Sequence, residues 1–238
     1  MNKVPELSIF FPFWNEEGNI KKVVEEAIPI AEKVADKWEI IIVDDGSSDK
    51  TLEIAENLAN NNSNIVVKSH KENRGYGAAL NTGFLTSKYE LVVFNDGDGQ
   101  FKLSEVDKFL EKIKSADIVI GYRKKRLDNP FRHLLMNMLK VWDLVFFNFR
   151  FRDIDCGFKL FRKESIIKIL PLQSEGAMIT TEILAKAKKN KLSILEVEVN
   201  HYPRFYGDQS GGNLRVILRA IKESLLLWLN LNFNYGRN

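Results

Sequence analysis

The chain is poor in the residues that build disulfide scaffolds and zinc sites: it has one cysteine and three histidines in 238 residues. Cys156 has no intramolecular disulfide partner, and His70, His133 and His201 are too dispersed to form a Cys/His metal cluster with it. A cytoplasmic setting is expected. Long apolar runs are also missing. The greasiest stretches, Leu134 to Phe149 and Leu225 to Leu229, are interrupted or short beside the roughly 20 apolar residues that span a bilayer. The opening MNKVPELSIFFPFWNEE holds too short an apolar stretch for a secretory signal, so neither export nor a membrane crossing is expected. Excess charge of one sign is absent as well. Lys plus Arg number 35 against 32 for Asp plus Glu, a net charge of +3, which argues against nucleic acid as a partner and makes any basic site local. What the chain does have is 45% hydrophobic and 28% charged residues, material for a packed core rather than disorder.

The hydrophobic pattern alternates between two periods. Leu7 to Phe11 and Glu39 to Val43 read as buried parallel strands. Between them Ile20, Val23, Val24, Ala27, Ile28, Ala31 and Val34 recur at helical spacing, with Pro29 expected to kink the helix. A second helix is predicted over Ser47 to Asn60, opened by capping residues, followed by a strand at Ile65 to Val67 and a small-residue helix around Asn81. Leu91 to Phe94, a helix over Ser104 to Ser115 and Ile118 to Ile120 continue the order. The second half is less regular: a long amphipathic stretch from Arg132 to Phe149, a strand at Gly157 to Phe161, a helix at Thr180 to Asn190, a strand at Ile194 to Val199 and a terminal helix from Leu214. With no repeat or linker, this predicts a single α/β domain over 1–238, its ligand held beyond the carboxyl ends of the strands.

Polar residues cluster where that rule asks for them. PFWNEE follows the first strand, DDGSSD the second, NDGDGQ the fourth and RKKR the fifth. Asp96 and Asp98, two apart at a strand end, suit a hard divalent cation such as Mg2+ or Mn2+, although an ordinary turn satisfies the same spacing. With 13 aspartates, an Asp-x-Asp arises by chance roughly 0.7 times, and Asp153 with Asp155 is a second case that follows no clean strand. Asp44 and Asp45 are a like-charge pair that needs hydrogen bonds or a cation; ribose or base contacts would serve, and so would helix capping by Asp45, Ser47 and Asp49. NRGYGAALNTG lacks the third glycine of a dinucleotide fingerprint, since Leu80 stands there, so its small residues point to close helix packing or a close approach of nucleotide. Arg123 to Arg126 form either a solvated face or, beside the acidic cluster, a polyanion site, to which Arg132, Arg204 and the Gly207 to Gly212 loop can add. No catalytic role is assigned to the histidines, and Cys156 reads as a buried small residue.

Taken together, PFWNEE, VDDGSSDKT, NRGYGAALNTGF, FNDGDGQF, GYR, DCGFKLF, TEIL and HYPR resemble the family 2 glycosyltransferases of GT-A fold, in the branch that contains dolichol-phosphate mannosyltransferase and bacterial polyprenyl-phosphate relatives. The resemblance covers about residues 7 to 215. It implies a Rossmann-like, mostly parallel sheet flanked by helices, with a nucleotide-sugar half to about residue 122 and an acceptor half from about 123. It also implies a nucleotide-diphospho-sugar donor, Mg2+ or Mn2+, inversion at the anomeric carbon and a polyprenyl phosphate acceptor. Pro12, Trp14, Asn15 and Glu16 match the first nucleotide motif, with Trp14 where tyrosine is frequent. Asp44 and Asp45 match the base and ribose pair, and Asp96, Asp98 and Gln100 the metal motif, Asp96 lying next to the nucleotide. Arg123 and Arg132 look like the phosphate-binding arginines, and Arg204 with Ser210 like the loop that closes on donor and acceptor. The family's lysine near that loop is missing: Gly211 and Gly212 follow Ser210. Glu182 falls near the acidic base of polymer-making relatives.

Two acceptors lead to different chemistry. A lipid phosphate is anionic near neutral pH and needs no base, whereas a glycan hydroxyl must lose a proton, for which Glu182 is the candidate. The amphipathic Arg132 to Phe149 stretch is expected either on a bilayer surface or as a helix packed on the sheet or a dimer contact, and a membrane surface or a membrane subunit is the expected further partner. A non-catalytic nucleotide-sugar-binding subunit is the reading from another class, and the intact acidic motif argues against it.

Overall fold

The computed structural model describes residues 3–124, 146–204, 206 and 223–234. Along the chain run β1 (Val4–Phe13), α1 (Ile20–Val34), β2 (Ala35–Asp44), α2 (Thr51–Asn61), β3 (Ile65–Ser69), α3 (Tyr76–Thr86) and β4 (Leu91–Asn95). After them come α4 (Val106–Lys112), β5 (Ile118–Arg123), β6 (Phe158–Arg162), α5 (Lys163–Ile169), α6 (Ile179–Lys189) and β7 (Ile194–Val199). Short 3-10 turns flank α4, and residues 223–229 are helical, ending in a π turn at Asn230–Asn234.

One seven-stranded sheet in the order β3-β2-β1-β4-β6-β5-β7 carries the whole arrangement. All pairs are parallel except those of β6, which runs antiparallel to both β4 and β5. Alternation along β1 divides the core. Leu7, Ile9 and Phe11 face α1 and α4 on one side of the sheet, and Phe10 faces α3, α5 and α6 on the other. On that second face Phe10 meets Phe84 and Phe84 meets Phe161 edge to face, each with ring centroids 5.0 Å apart. The small residues of α3 serve this packing: a Cβ on Gly83 would lie 2.3 Å from the Phe10 ring.

Several boundaries differ from the sequence expectation for local reasons. β1 and β2 are longer than their apolar runs because the polar residues in them are paired inside the sheet, Ser8 donating to Glu39 at 2.6 Å. Pro29 lies within α1, which continues to Val34. Ser47 does not open α2; the helix starts at Thr51, where Asp49 accepts from the Thr51 amide at 2.9 Å. The end of the amphipathic stretch turns inward, with Phe147 and Phe149 in the core and Phe146 against Trp228. Residues 125–145 of that region, Arg132 among them, and 207–222, with Ser210, lie outside the described residues. Among the described residues no helix is long and apolar enough to cross a membrane.

Candidate active site at the carboxyl edge

The loops after β1 and β2 are locked to each other before any ligand is considered. Asn15 adopts a left-handed backbone, φ 52°, its amide donating to Ser47 Oγ at 2.9 Å while its side-chain oxygen accepts from the Ser48 amide at 2.8 Å. The Glu16 amide donates to Thr51 Oγ1 at 2.8 Å and the Glu17 amide to Asp49 at 3.1 Å. Burial opposes the Asp49 charge, but the Thr51 and Glu17 donors outweigh it and hold the carboxyl below its usual range. Trp14, half exposed, stands at the rim of this double loop, and Pro12 lies one residue inside the end of β1.

Asp44 and Asp45 escape mutual repulsion by turning to different donors. Asp44 accepts from Ser69 Oγ at 2.9 Å, whereas Asp45 accepts from the Arg74 and Gly75 amides at 3.0 and 2.8 Å and lies 2.6 Å from His70 Nδ1. His70 therefore serves as a strut between Asp45 and Thr82, whose Oγ1 is 2.8 Å from its other ring nitrogen.

Asp96 and Asp98 sit at the end of β4 in a far less satisfied state. Burial, then the neighbouring Asp98 carboxylate, pushes Asp96 up to about 7, against the Tyr76 hydroxyl that donates to its Oδ1 at 2.8 Å. Two partly buried carboxylates, one raising the proton affinity of the other, fit a hard divalent cation, and Asp96 and Asp98 are the residues that would hold it. Among the described residues no three His, Cys, Asp or Glu side chains are arranged to hold a metal ion, so further oxygens would come from ligand or water. Gln100 does not join them here: its side-chain amide donates to the Tyr202 carbonyl at 3.2 Å, and its backbone amide caps Asp98 at 3.0 Å.

The reversed direction of β6 completes the site. Because Phe158 pairs with Asn95, the segment Asp153 to Gly157 arrives at the same edge as Asp96. Gly157 accepts a bond from the Asp96 amide at 2.8 Å, and its missing side chain makes room for the Asp96 carboxylate. Asp153 grips Arg123 in a two-pronged ion pair, at 2.6 and 2.8 Å, with both side chains buried. Burial lowers the Arg123 pKa and Asp153 more than restores it, so the guanidinium is a fixed cation at the rim of β5. Asp153→Asn is expected to lower folding stability by about 2 kcal/mol, read by urea unfolding; an unchanged midpoint would remove the anchor role. Lys159, wholly buried in β6, donates to the Cys156 carbonyl and lies 5.6 Å from the Phe94 ring centre. Burial pushes its ammonium down and the Cys156 thiol up to about 12.

β7 delivers a strap across the opening. The Tyr202 amide donates to the Gln100 carbonyl at 2.9 Å, and Arg204 pairs with Glu16 while lying 3.7 Å from Asp98. Burial raises the Glu16 pKa, against Asn19 and Arg204, which favour its charge. Glu182, by contrast, is wholly buried, accepts from the Gln173 and Ser174 amides at 2.9 and 2.7 Å, and pairs with Lys186 at 2.6 Å. The expected base is structurally committed. Tyr76, Asp153, Gly157 and Lys159 stand at this edge as well; their motifs are visible in the sequence, but nothing there assigns an individual role to any of them.

Residues 8–170 match the family model described as Glycosyl transferase family 2. The chain belongs to that family. It is 35% identical over 214 residues to the dolichyl-phosphate beta-glucosyltransferase of Dictyostelium discoideum, covering 82% of this chain and 65% of that one. Against the enzyme of the same name from Saccharomyces cerevisiae the identity is 29% over 242 residues, covering 91% and 71%. The undecaprenyl-phosphate 4-deoxy-4-formamido-L-arabinose transferase of Proteus mirabilis is 28% identical, covering 90% and 65%. The chain thus spans about two thirds of the length of these relatives. In fold it is similar to glucosyl-3-phosphoglycerate synthase from Mycobacterium tuberculosis in complex with UDP, with a TM-score of 0.70 at 18% identity over 95% of this chain and 80% of that one. The same enzyme in complex with Mn2+, UDP-glucose and phosphoglyceric acid superposes at 0.69 with 18% identity, over 95% of this chain and 79% of that one. The architecture is GT-A.

Proposed function

We propose that this family 2 domain transfers a hexose, with inversion, from a nucleotide-diphospho-sugar to a polyprenyl phosphate, using Mg2+ or Mn2+. The observation that carries the reading is the convergence on one sheet edge of the Asp96 and Asp98 pair with two cations, Arg123 fixed by Asp153 and Arg204 beside Asp98. The names of the relatives support the lipid phosphate as acceptor. A divalent cation bound at Asp96 and Asp98 supplies electrostatic stabilisation of the leaving diphosphate.

The protein's own residues then divide the work. Pro12, Trp14, Asn15 and Glu16 with Asp44 and Asp45 form the floor of the nucleoside pocket, pre-set by the interlocked loops so that little ordering remains on binding. Arg123, held by Asp153, meets the charge that develops on the departing phosphate oxygen. Arg204, with Arg132 and Ser210, would orient the acceptor phosphate in line with the sugar, exchanging its contacts to Glu16 and Asp98 for the incoming anions. A lipid monophosphate brings its own anionic oxygen, which agrees with the absence of a free carboxylate at Glu182. On this reading the protein works peripherally at the cytoplasmic face of a membrane, on the bilayer surface or beside a membrane subunit.

The test is release of nucleoside diphosphate from a panel of nucleotide sugars with Mn2+ or Mg2+, with and without a short polyprenyl phosphate. Release that needs both lipid and metal is expected for one donor. Release with metal that ignores the lipid would instead favour a hydroxyl acceptor.

A further inference from the structure

The buried Glu182 and Lys186 pair has no place in the chemistry above, yet its contacts lead back to the site. Between them the two side chains clamp one short loop: Lys186 donates to the Pro171 carbonyl, and Glu182 accepts from the Gln173 and Ser174 amides. The next residues of that loop rest on the turn that opens α3. The Gly77 amide donates to the Glu175 carbonyl at 2.8 Å. The fit is close enough to exclude side chains, since a Cβ on Gly77 would lie 2.2 Å from the Ser174 oxygen, and one on Gly75, φ 103°, 2.5 Å from the Glu175 oxygen. This is why the NRGYG sequence places glycine on both sides of Tyr76.

The turn so supported carries contacts to both halves of the donor site. Its Arg74 and Gly75 amides hold Asp45 at the end of β2, and its Tyr76 hydroxyl holds Asp96 at the end of β4. From this geometry we infer that Glu182, locked by Lys186, is a positioning residue: it fixes the 171–175 loop as a back wall that seats the Arg74 to Gly77 turn, and through it the Asp45 and Asp96 carboxylates. The inference rests on the donor-site reading given above. A buried ionic pair is a weak source of net stability against a well-packed apolar pair, so retaining one here is consistent with a specifying role. A carboxylate suits the task because only an acceptor with two oxygens can take two adjacent backbone amides and a lysine together.

The test uses Glu182→Gln and Gly77→Ala, which disturb the same seam from opposite sides. Substitution behind residues that hold a metal ligand weakens binding about tenfold or more. Both variants are expected to weaken binding of UDP or GDP with Mn2+ by that factor in calorimetry, and to speed amide exchange in peptides spanning 74–79 and 171–177. Their effects in the double variant are expected to be less than additive. Binding and exchange unchanged in Glu182→Gln, with turnover lost, would identify a base and overturn the positioning role; unchanged binding, exchange and turnover would overturn it as well. If Glu182→Gln fails to fold, Gly77→Ala alone decides by the same two readouts. If the wild-type chain binds neither nucleotide, the donor-site reading fails, and the exchange measurement still decides whether Glu182 holds the wall.

Discussion

Asp98→Asn is expected to lower metal-dependent sugar transfer about 10³-fold, the rate equivalent of the several kcal/mol that a clamped cation contributes to a developing diphosphate charge. The fold should survive, because Asp98 is a surface-edge residue whose internal partners are the Gln100 amide and the distant prong of Arg204. Its removal also changes the metal-free protein in the opposite sense. Asp96 is pushed up to about 7 by burial first and by Asp98 second, above the ordinary 3.8 of an unfolded chain. A group that binds its proton more tightly when folded stabilises the fold fully below its unfolded value, and that contribution is lost as pH rises through the folded value. In EDTA the wild-type melting temperature should therefore fall between about pH 4 and pH 7 from this group, and fall less in Asp98→Asn. Thermal scans across that range, repeated with Mn2+, read both effects. Equal pH slopes for the two proteins in EDTA would contradict the coupling.

Gly157→Ala is expected to damage the site more than any other single methyl group. The added Cβ would lie 1.8 Å from Asp96 Oδ2. Relief by moving the backbone is blocked from two directions: the Gly157 carbonyl accepts from the Asp96 amide, and the preceding Cys156 carbonyl accepts from the buried Lys159. Asp96 must therefore leave its place beside Tyr76. Overpacking of this kind costs about 1–3 kcal/mol in stability, and nucleotide binding with Mn2+ should weaken at least tenfold, since the carboxylate proposed to hold the metal is displaced outright. Gly99→Ala is the control. Its φ of 74° strains a substituted residue, at about 1 kcal/mol, but the nearest atom to its Cβ is 3.7 Å away, so the Asp96 geometry should be kept. Nucleotide titrations of the two variants side by side separate backbone strain from displacement; equal losses would refute the role assigned to Gly157.

The first half of the chain was legible because its elements follow period and punctuation without interference. Strands ending in PFWNEE, DDGSSD and NDGDGQ put the polar clusters on one edge, and the parallel pairing of β1, β2, β3 and β4 agrees. What escaped was information that only pairing supplies. The strand at Gly157 to Phe161 was visible, but not its direction; antiparallel placement between β4 and β5 is what turns a chance-like Asp153-x-Asp155 spacing into an anchor for Arg123. Lys159 was unreadable because a lysine in a strand normally marks a solvent face, whereas here it is wholly buried over the Phe94 ring. One signal was available at NRGYG: two glycines around a tyrosine ask for a close neighbour, which the structure supplies as the Ser174 and Glu175 carbonyls. At Glu182 the position of the acid was legible but its partners were not, since nothing in the sequence announces the Gln173 and Ser174 amides and the Lys186 ammonium that hold it.

On the proposed function, the Asp96 and Asp98 edge moves a sugar onto a lipid phosphate. The most direct test is transfer of labelled sugar from the donor selected by the panel to a polyprenyl phosphate, counted in the organic phase, with wild type and Asp98→Asn compared in Mn2+. Lipid-borne label is expected from the wild type, lost in EDTA and reduced about 10³-fold in the variant. Label that reaches the lipid equally well from Asp98→Asn, or that never enters the organic phase while donor is consumed, would contradict that function.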